Sequence, residues 1–159
     1  MPKQYYKADS YHSRKSIGYL LRRGRNLITT QIQDLLQHKL GDNGISFVHW
    51  VILMCLRDDL ARTSSEISEY VCYDAGALTR VIDQMEERGL LGRKRNSKDR
   101  RVVELKLTAA GHKLVESLIP IVVGFYNDLL EDFTHSEADM LLQLMTRLVG
   151  KLDTLKDGN

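Results

Sequence analysis

Through residues 13–39, apolar side chains recur at Ile17, Leu20, Leu21, Leu27, Ile28, Ile32, Leu35 and Leu36. Steps of three and four put them on one face of an amphipathic helix. Gly41-Asp42-Asn43-Gly44 follows, a run that tolerates positive φ and ends the helix. Residues 46–57 are apolar nearly all round (Phe47, Val48, Trp50, Val51, Ile52, Leu53, Met54), which predicts the buried centre of the domain.

Thr63-Ser64-Ser65-Glu66 is a capping box, in which Thr63 and Glu66 each satisfy a backbone donor of the first helical turn. A short helix to about Val71 is expected from it. After Cys72-Tyr73-Asp74 a further helix runs to about Arg88, with Leu78, Val81, Ile82 and Met85 on one side, and Gly89 stops it.

The period then changes. In residues 101–107, Val103, Leu105 and Leu107 alternate with Val102, Glu104 and Lys106, the two-residue repeat of a half-buried strand. Residues 91–95 are its expected partner and 96–100 the turn. Thr108 is the expected cap of a long helix carrying Leu114, Leu118, Ile121, Val122, Phe125 and Leu129, which Pro120 should bend. A second capping box, Thr134-His135-Ser136-Glu137, opens a last helix.

Charge sharpens this picture once it is mapped along the chain. The formal total is only +2 over 159 residues. Residues 93–101 nevertheless carry six basic side chains against Asp99 alone, and residues 1–25 carry seven against Asp9. Residues 116–159 hold eight acids against Arg147, Lys151 and Lys156. A near-neutral chain thus contains one strongly cationic element, as a phosphate-facing surface requires.

Helix, short turn, helix and basic hairpin is the order of a winged helix-turn-helix. The second helix of such a pair enters the major groove and offers its first residues to base edges. Here these are Ala75, Gly76, Ala77, Thr79 and Arg80, with Asp74 as the cap. The small side chains allow close approach, and Arg80 can pair with guanine O6 and N7. Ser64 and Ser65 offer hydroxyls and free N–H groups to a phosphate. At the wing, Arg95, Lys98, Arg100 and Arg101 supply cations, and Asp99, two residues from Arg101, can pair with it and hold the tip in shape.

At this point a family resemblance appears. Asp99-Arg100-Arg101, Leu107-Thr108 and Gly111 satisfy the pattern D-x-R-x5-L-T-x-x-G, and this stretch resembles the wing signature of MarR-type regulators. Ala77-Leu78-Thr79-Arg80-Val81-Ile82-Asp83 and Glu86-Glu87-Arg88-Gly89-Leu90-Leu91 are similar to that family's recognition helix and its exit, and Ile45-Ser46 and Trp50 to its second helix. The resemblance covers residues 13–152 or so. It implies a mainly α fold with a small β-hairpin wing: one domain over 1–159, a winged-helix DNA-binding core at 45–107, and dimerisation helices at 13–39 and 113–153. The surplus of apolar faces on those outer helices points to self-association independently.

The implied function is that of a transcription regulator, in the repressor mode, that binds double-stranded DNA at a pseudo-palindromic operator as a homodimer. The resemblance further implies release by a small aromatic or anionic effector. Candidate effector contacts are Arg14, Ser16 and Tyr19 on the first helix and His49, Trp50 and Leu53 on the second. Two alternatives stay open: a thiol-oxidation sensor of the same fold, and a winged-helix module that binds protein. Against the first, Cys55 and Cys72 both sit in apolar settings, which blunt thiol reactivity. Against the second, the wing is cationic rather than apolar or acidic.

No phosphate-binding loop, dinucleotide fingerprint or zinc-hydrolase motif is present, which argues against an enzyme. His12, His38, His49, His112 and His135 show no ligand spacing, so neither metal nor cofactor is expected. The longest apolar runs, residues 51–56 and 118–123, fall well short of the ~20 residues of a membrane span, and the N-terminus lacks an apolar signal core. A cytoplasmic location is the expectation.

Overall fold

A computed structural model of the chain describes residues 4–41, 44–71, 73–97 and 99–156. The elements follow the order α1 (Ile17–Leu40), α2 (Phe47–Arg57), α3 (Ser64–Val71), α4 (Ala75–Glu87), β1 (Leu91–Arg95), β2 (Val103–Leu107), α5 (Ala109–Leu129) and α6 (His135–Lys156). This is the mainly α architecture with a hairpin wing that the periodicity predicted. Asp42, Asn43, Cys72 and Lys98, which the sequence reading used, lie outside the described residues.

The chain divides at residue 121 into two compact units. In the first, α2 is the hub: it packs on α1, α3 and β2, while α3 packs on α4 and α4 on β1. Its side chains Ile52, Leu53 and Cys55 are buried together with Ile32 and Leu36 of α1, Ile67 of α3, and Leu78, Ile82 and Met85 of α4. Each large aliphatic residue so buried contributes roughly 1.5–3 kcal/mol. Phe47 N–H donates to Gln33 Oε1 at 2.7 Å, which fixes the entry of α2 against α1.

Helix starts follow local hydrogen bonding more than periodicity. The first helix begins at Ile17 rather than near residue 13. Ser13–Lys15 forms a separate 3-10 turn, Ser16 Oγ accepts from Tyr19 N–H at 3.2 Å, and the Tyr6 hydroxyl accepts from Ile17 N–H at 2.9 Å. At α3 the capping box forms as expected: Glu66 Oε2 accepts from Thr63 N–H at 2.9 Å, and Thr63 Oγ1 accepts from Glu66 N–H at 3.2 Å. Gly89, at φ +67°, lets the chain leave α4 and turn into β1.

β1 and β2 pair antiparallel, with Leu91 opposite Leu107, Arg93 opposite Leu105 and Arg95 opposite Val103. The second strand starts at Val103, two residues later than the alternation suggested. Arg100 and Arg101 belong to the turn, closed by Val102 N–H donating to Asp99 O at 3.0 Å. On its other flank, Leu105 N–H donates to Arg62 O at 2.7 Å, tying the wing to the segment before α3.

In the second unit, the end of α5 leads into α6, whose start is the predicted box of Thr134 and Glu137. Pro120, near the end of the first unit, lies inside α5 without ending it. Along α6, Leu141, Leu144, Met145, Val149 and Leu152 are all exposed, a continuous apolar stripe on one side of the helix.

Candidate nucleic-acid interface

The first wall of the interface is the paired start of α3 and α4. Asp74 Oδ1 accepts from Ala77 N–H at 2.9 Å and so caps α4, the role expected of it. Ser68 Oγ donates to Tyr73 O at 2.8 Å, and Tyr73 N–H donates to Ser68 O at 3.2 Å, which sets the turn between the helices. A cleft of about 390 Å³ opens there, lined by Ser64, Ser65, Ser68, Glu69, Ala75 and Thr79. Four of the expected DNA contacts, Ser64, Ser65, Ala75 and Thr79, are thus brought together. Gly76 and Arg80 are exposed and Ala77 half-buried on the same first turns of α4. Thr79 Oγ1 donates to Ala75 O at 2.8 Å, leaving its methyl and oxygen lone pairs for a ligand.

The second wall is the wing. Arg101 reaches Asp99 through Nε to Oδ1 at 3.2 Å and through a terminal nitrogen to Oδ2 at 3.1 Å, while its own N–H donates to Oδ1 at 3.0 Å. The pair expected from sequence therefore forms, though within a turn rather than along an extended strand. The Arg101 fork, and then its backbone N–H, hold the Asp99 carboxyl below its ordinary range. Beneath this, Asn96 Nδ2 donates to Glu104 Oε1 at 2.5 Å, and Asn96 Oδ1 accepts from Asp99 N–H at 3.1 Å. The Arg101 side chain remains 91% exposed, and Arg95 and Arg100 are exposed beside it. Lys98 belongs to the undescribed positions.

One cation of the wing faces elsewhere. Arg93, counted at first with the rest of the basic run, donates to Asp83 Oδ1 at 2.5 Å and to Glu86 on α4. The Asp83 hydrogen bond is the main reason its guanidinium is held above its ordinary range. The sequence does not show this pair, because seven and ten residues separate the partners and only the packing of β1 on α4 brings them together.

A third junction joins the wing and the exit of α4 to α5. The Thr108 hydroxyl donates to Gly89 O at 2.6 Å, its N–H donates to Leu90 O at 3.1 Å, and its oxygen accepts from Gly111 N–H at 3.1 Å. Gly111 packs so close to the Leu90 backbone that a Cβ there would sit 2.0 Å from Leu90 O. The Leu-Thr-x-x-Gly half of the signature is therefore a tie between the exit of α4 and the start of α5.

The six candidate effector contacts divide by environment. Trp50 and Leu53 are core residues, Ser16 is the buried N-cap of α1, and His49 is the buried N3 partner of the Ser46 cap of α2. Tyr19 accepts from Arg23 at 3.2 Å and lies under Arg22, 5.7 Å from its ring centre; Arg14 is exposed. His49 Nδ1 accepts from Ser46 N–H at 3.2 Å and lies 2.6 Å from Ser46 Oγ. Burial, and then the nearby Arg88 charge, push its pKa below the ordinary 6.5. The neutral ring is thus the folded form. As pH falls through 6.5 the unfolded chain takes a proton that the folded chain refuses, so stability should drop and then level off below the folded value. His49→Gln keeps a capping-box side chain at this position and removes that proton. Denaturant melts at neutral and mildly acid pH should show a shallower loss for the variant, and parallel losses would assign the acid sensitivity elsewhere.

Burial, and next the Asp58 charge, push the Cys55 thiol up to about 11. A thiol so high is almost wholly protonated near neutrality and a poor oxidation sensor. Among the described residues no group of His, Cys, Asp and Glu side chains could hold a metal ion, and no helix is long and apolar enough to cross a membrane.

A capped helix pair beside a cationic hairpin defines the winged helix-turn-helix class. A family model described as MarR family matches residues 45–103. The HTH-type transcriptional repressor YetL of Bacillus subtilis (strain 168) is 23% identical over 132 residues, covering 82% of this chain and 79% of its own. The reduced form of MarR from E. coli is 26% identical with a TM-score of 0.64, covering 80% of this chain and 95% of that one. BpsR of Bordetella bronchiseptica, whose DNA binding is regulated by 6-hydroxynicotinic acid, shares the fold at 24% identity and TM-score 0.68, covering 87% and 96%. Residues 45–103 thus match the MarR family model, and the relatives that the chain resembles over most of its length are regulators rather than enzymes.

Proposed function

We propose that this chain is a sequence-specific repressor that binds a pseudo-palindromic double-stranded DNA operator as a homodimer in the cytoplasm and releases it on binding a small aromatic acid. One observation carries the DNA reading: the cleft of Ser64, Ser65, Ala75 and Thr79 lies at the starts of α3 and α4, and the hairpin that packs on α4 carries the exposed Arg95, Arg100 and Arg101 at its turn. In this reading Ala75, Gly76, Ala77, Thr79 and Arg80 meet the major groove. Ser64 and Ser65 hold a phosphate, and Arg95, Lys98, Arg100 and Arg101, shaped by Asp99, enter the flanking minor groove.

Dimerisation through residues 13–39 and 113–153 is supported by the apolar stripe of α6 and by exposed Ile17, Leu20 and Leu27 on α1, surfaces that a lone chain leaves in water. Half-sites would then fall about one helical turn apart. Effector release is supported by the fold shared with BpsR, and Arg14, Ser16, Tyr19, His49, Trp50 and Leu53 are its proposed contacts. Repression is supported by the likeness to YetL.

The test is binding to duplexes recovered by selection from random sequence, measured across a salt series. Affinity should fall steeply as salt rises, because each neutralised phosphate releases counterions. A chain that retains no duplex at low salt overturns the proposal. Arg80→Ala should relax base preference by about 1–3 kcal/mol at one position per half-site. An unchanged selection profile would remove Arg80 from the readout.

A further inference from the structure

Arg93 stands on the face of β1 that it shares with Leu91 and Arg95, by the two-residue alternation of a strand, and opposite Leu105 in the register. Leu91 and Leu105 are buried, so this is the inner face of the hairpin. From it the guanidinium spans to Asp83 Oδ1 at 2.5 Å and to Glu86, one helical turn apart on α4, and its side chain is 33% exposed. Asp83 lies three residues after Arg80 on the same helix. A planar fork holding two carboxylates fixes orientation as well as distance.

We infer that Arg93 is a positioning residue that locks the wing to the recognition helix at a set angle, so that α4 and the wing tip engage neighbouring grooves as one rigid reader. This rests on the DNA-binding function proposed above. With the lock in place, docking of α4 presents Arg101 to its groove at a high effective concentration. Without it, the hairpin retains its ladder and its bond to Arg62 but loses the side-chain brace to α4, and each contact bears more of its own ordering cost.

A purely electrostatic role makes the opposite forecast for one variant. Asp83→Asn/Glu86→Gln removes two negative charges beside the DNA-facing helix while leaving Arg93 in place. Phosphate attraction alone predicts tighter binding. Loss of the lock predicts weaker binding to the selected duplex, by about tenfold or more, the scale on which losing simultaneous engagement acts. Binding to random duplex should be unchanged or tighter.

The decisive comparison is the cost of Arg101→Ala in both backgrounds, by fluorescence anisotropy at a temperature where all the proteins are folded. The cost should be large in the wild-type chain and several-fold smaller in the double variant, a coupling that simple destabilisation does not produce. Arg93→Lys, which retains the charge but cannot span both carboxylates, should show the same reduced coupling and serves if the double variant melts early. Equal costs of Arg101→Ala in all backgrounds, or tighter binding of the selected duplex by the double variant, overturn the lock while leaving the DNA-binding function standing. A wild-type chain that retains no duplex overturns both.

Discussion

Gly111→Ala should unfold this protein more readily than alanine at any other glycine of its described helices. The added carbon would sit 2.0 Å from Leu90 O and 3.2 Å from Leu107 Cδ2. The first neighbour is backbone at the junction of α4 and β1, and it cannot yield without moving both elements. Helix propensity favours alanine by up to ~1 kcal/mol. The clash should outweigh that gain, for a net loss of about 3 kcal/mol and a midpoint lower by on the order of 10 °C. Because the displaced Leu90 carbonyl also receives the Thr108 N–H, DNA binding should weaken even where the variant remains folded. Thermal melts of the two proteins decide the matter. A variant as stable as the parent would mean that α5 can slide on Leu90, and that the glycine of the signature has another purpose.

Arg101→Ala should have the largest effect on DNA binding with the least effect on the fold. Its side chain is 91% exposed and, among the described contacts, is joined only to Asp99, so little of the protein's stability depends on it. At the tip of a wing, however, one arginine inserted in a minor groove contributes both charge and a sense of groove width. Binding to the selected duplex should weaken by roughly tenfold or more, with a reduced salt slope and an unchanged melt. Asp99→Ala should act in the same direction but more weakly, because the cation survives while its fork and the backbone bond to Arg101 N–H are lost. Full affinity in Arg101→Ala would place the wing tip outside the interface.

Legibility of these features from sequence follows how local their causes are. The Thr63–Glu66 and Thr134–Glu137 boxes, the Asp74 cap and the Asp99–Arg101 pair involve partners two or three residues apart, and all were readable as written. The hairpin was readable because Val103, Leu105 and Leu107 alternate. Its second strand begins late because the Asp99 side chain captures Arg101 N–H and bends the backbone there. The start of α1 depended on Tyr6, eleven residues upstream, which periodicity does not weigh. Arg93 was invisible for the same reason in stronger form: its partners become neighbours only once the hairpin folds over α4. Gly111 was legible as part of a motif, but its cause, close approach to Leu90, exists only in three dimensions. Among the effector candidates, Trp50 and Leu53 show the converse limit, since an apolar helix position reads alike whether it lines a ligand or fills a core.

The single backbone bond from Leu105 to Arg62 also bears on how this protein avoids sticking to itself. A two-stranded ribbon has two open edges, each a template on which a foreign strand can add. The bond to Arg62 occupies part of the β2 edge, and β1 carries the exposed Lys94 and Arg95, whose like charges repel a second ribbon. Arg95, proposed for reading DNA, thus also acts as a gatekeeper against fibre growth. Neutralising Arg95 together with Lys94 should bring a second phenotype, aggregation of the folded protein, that has nothing to do with operators.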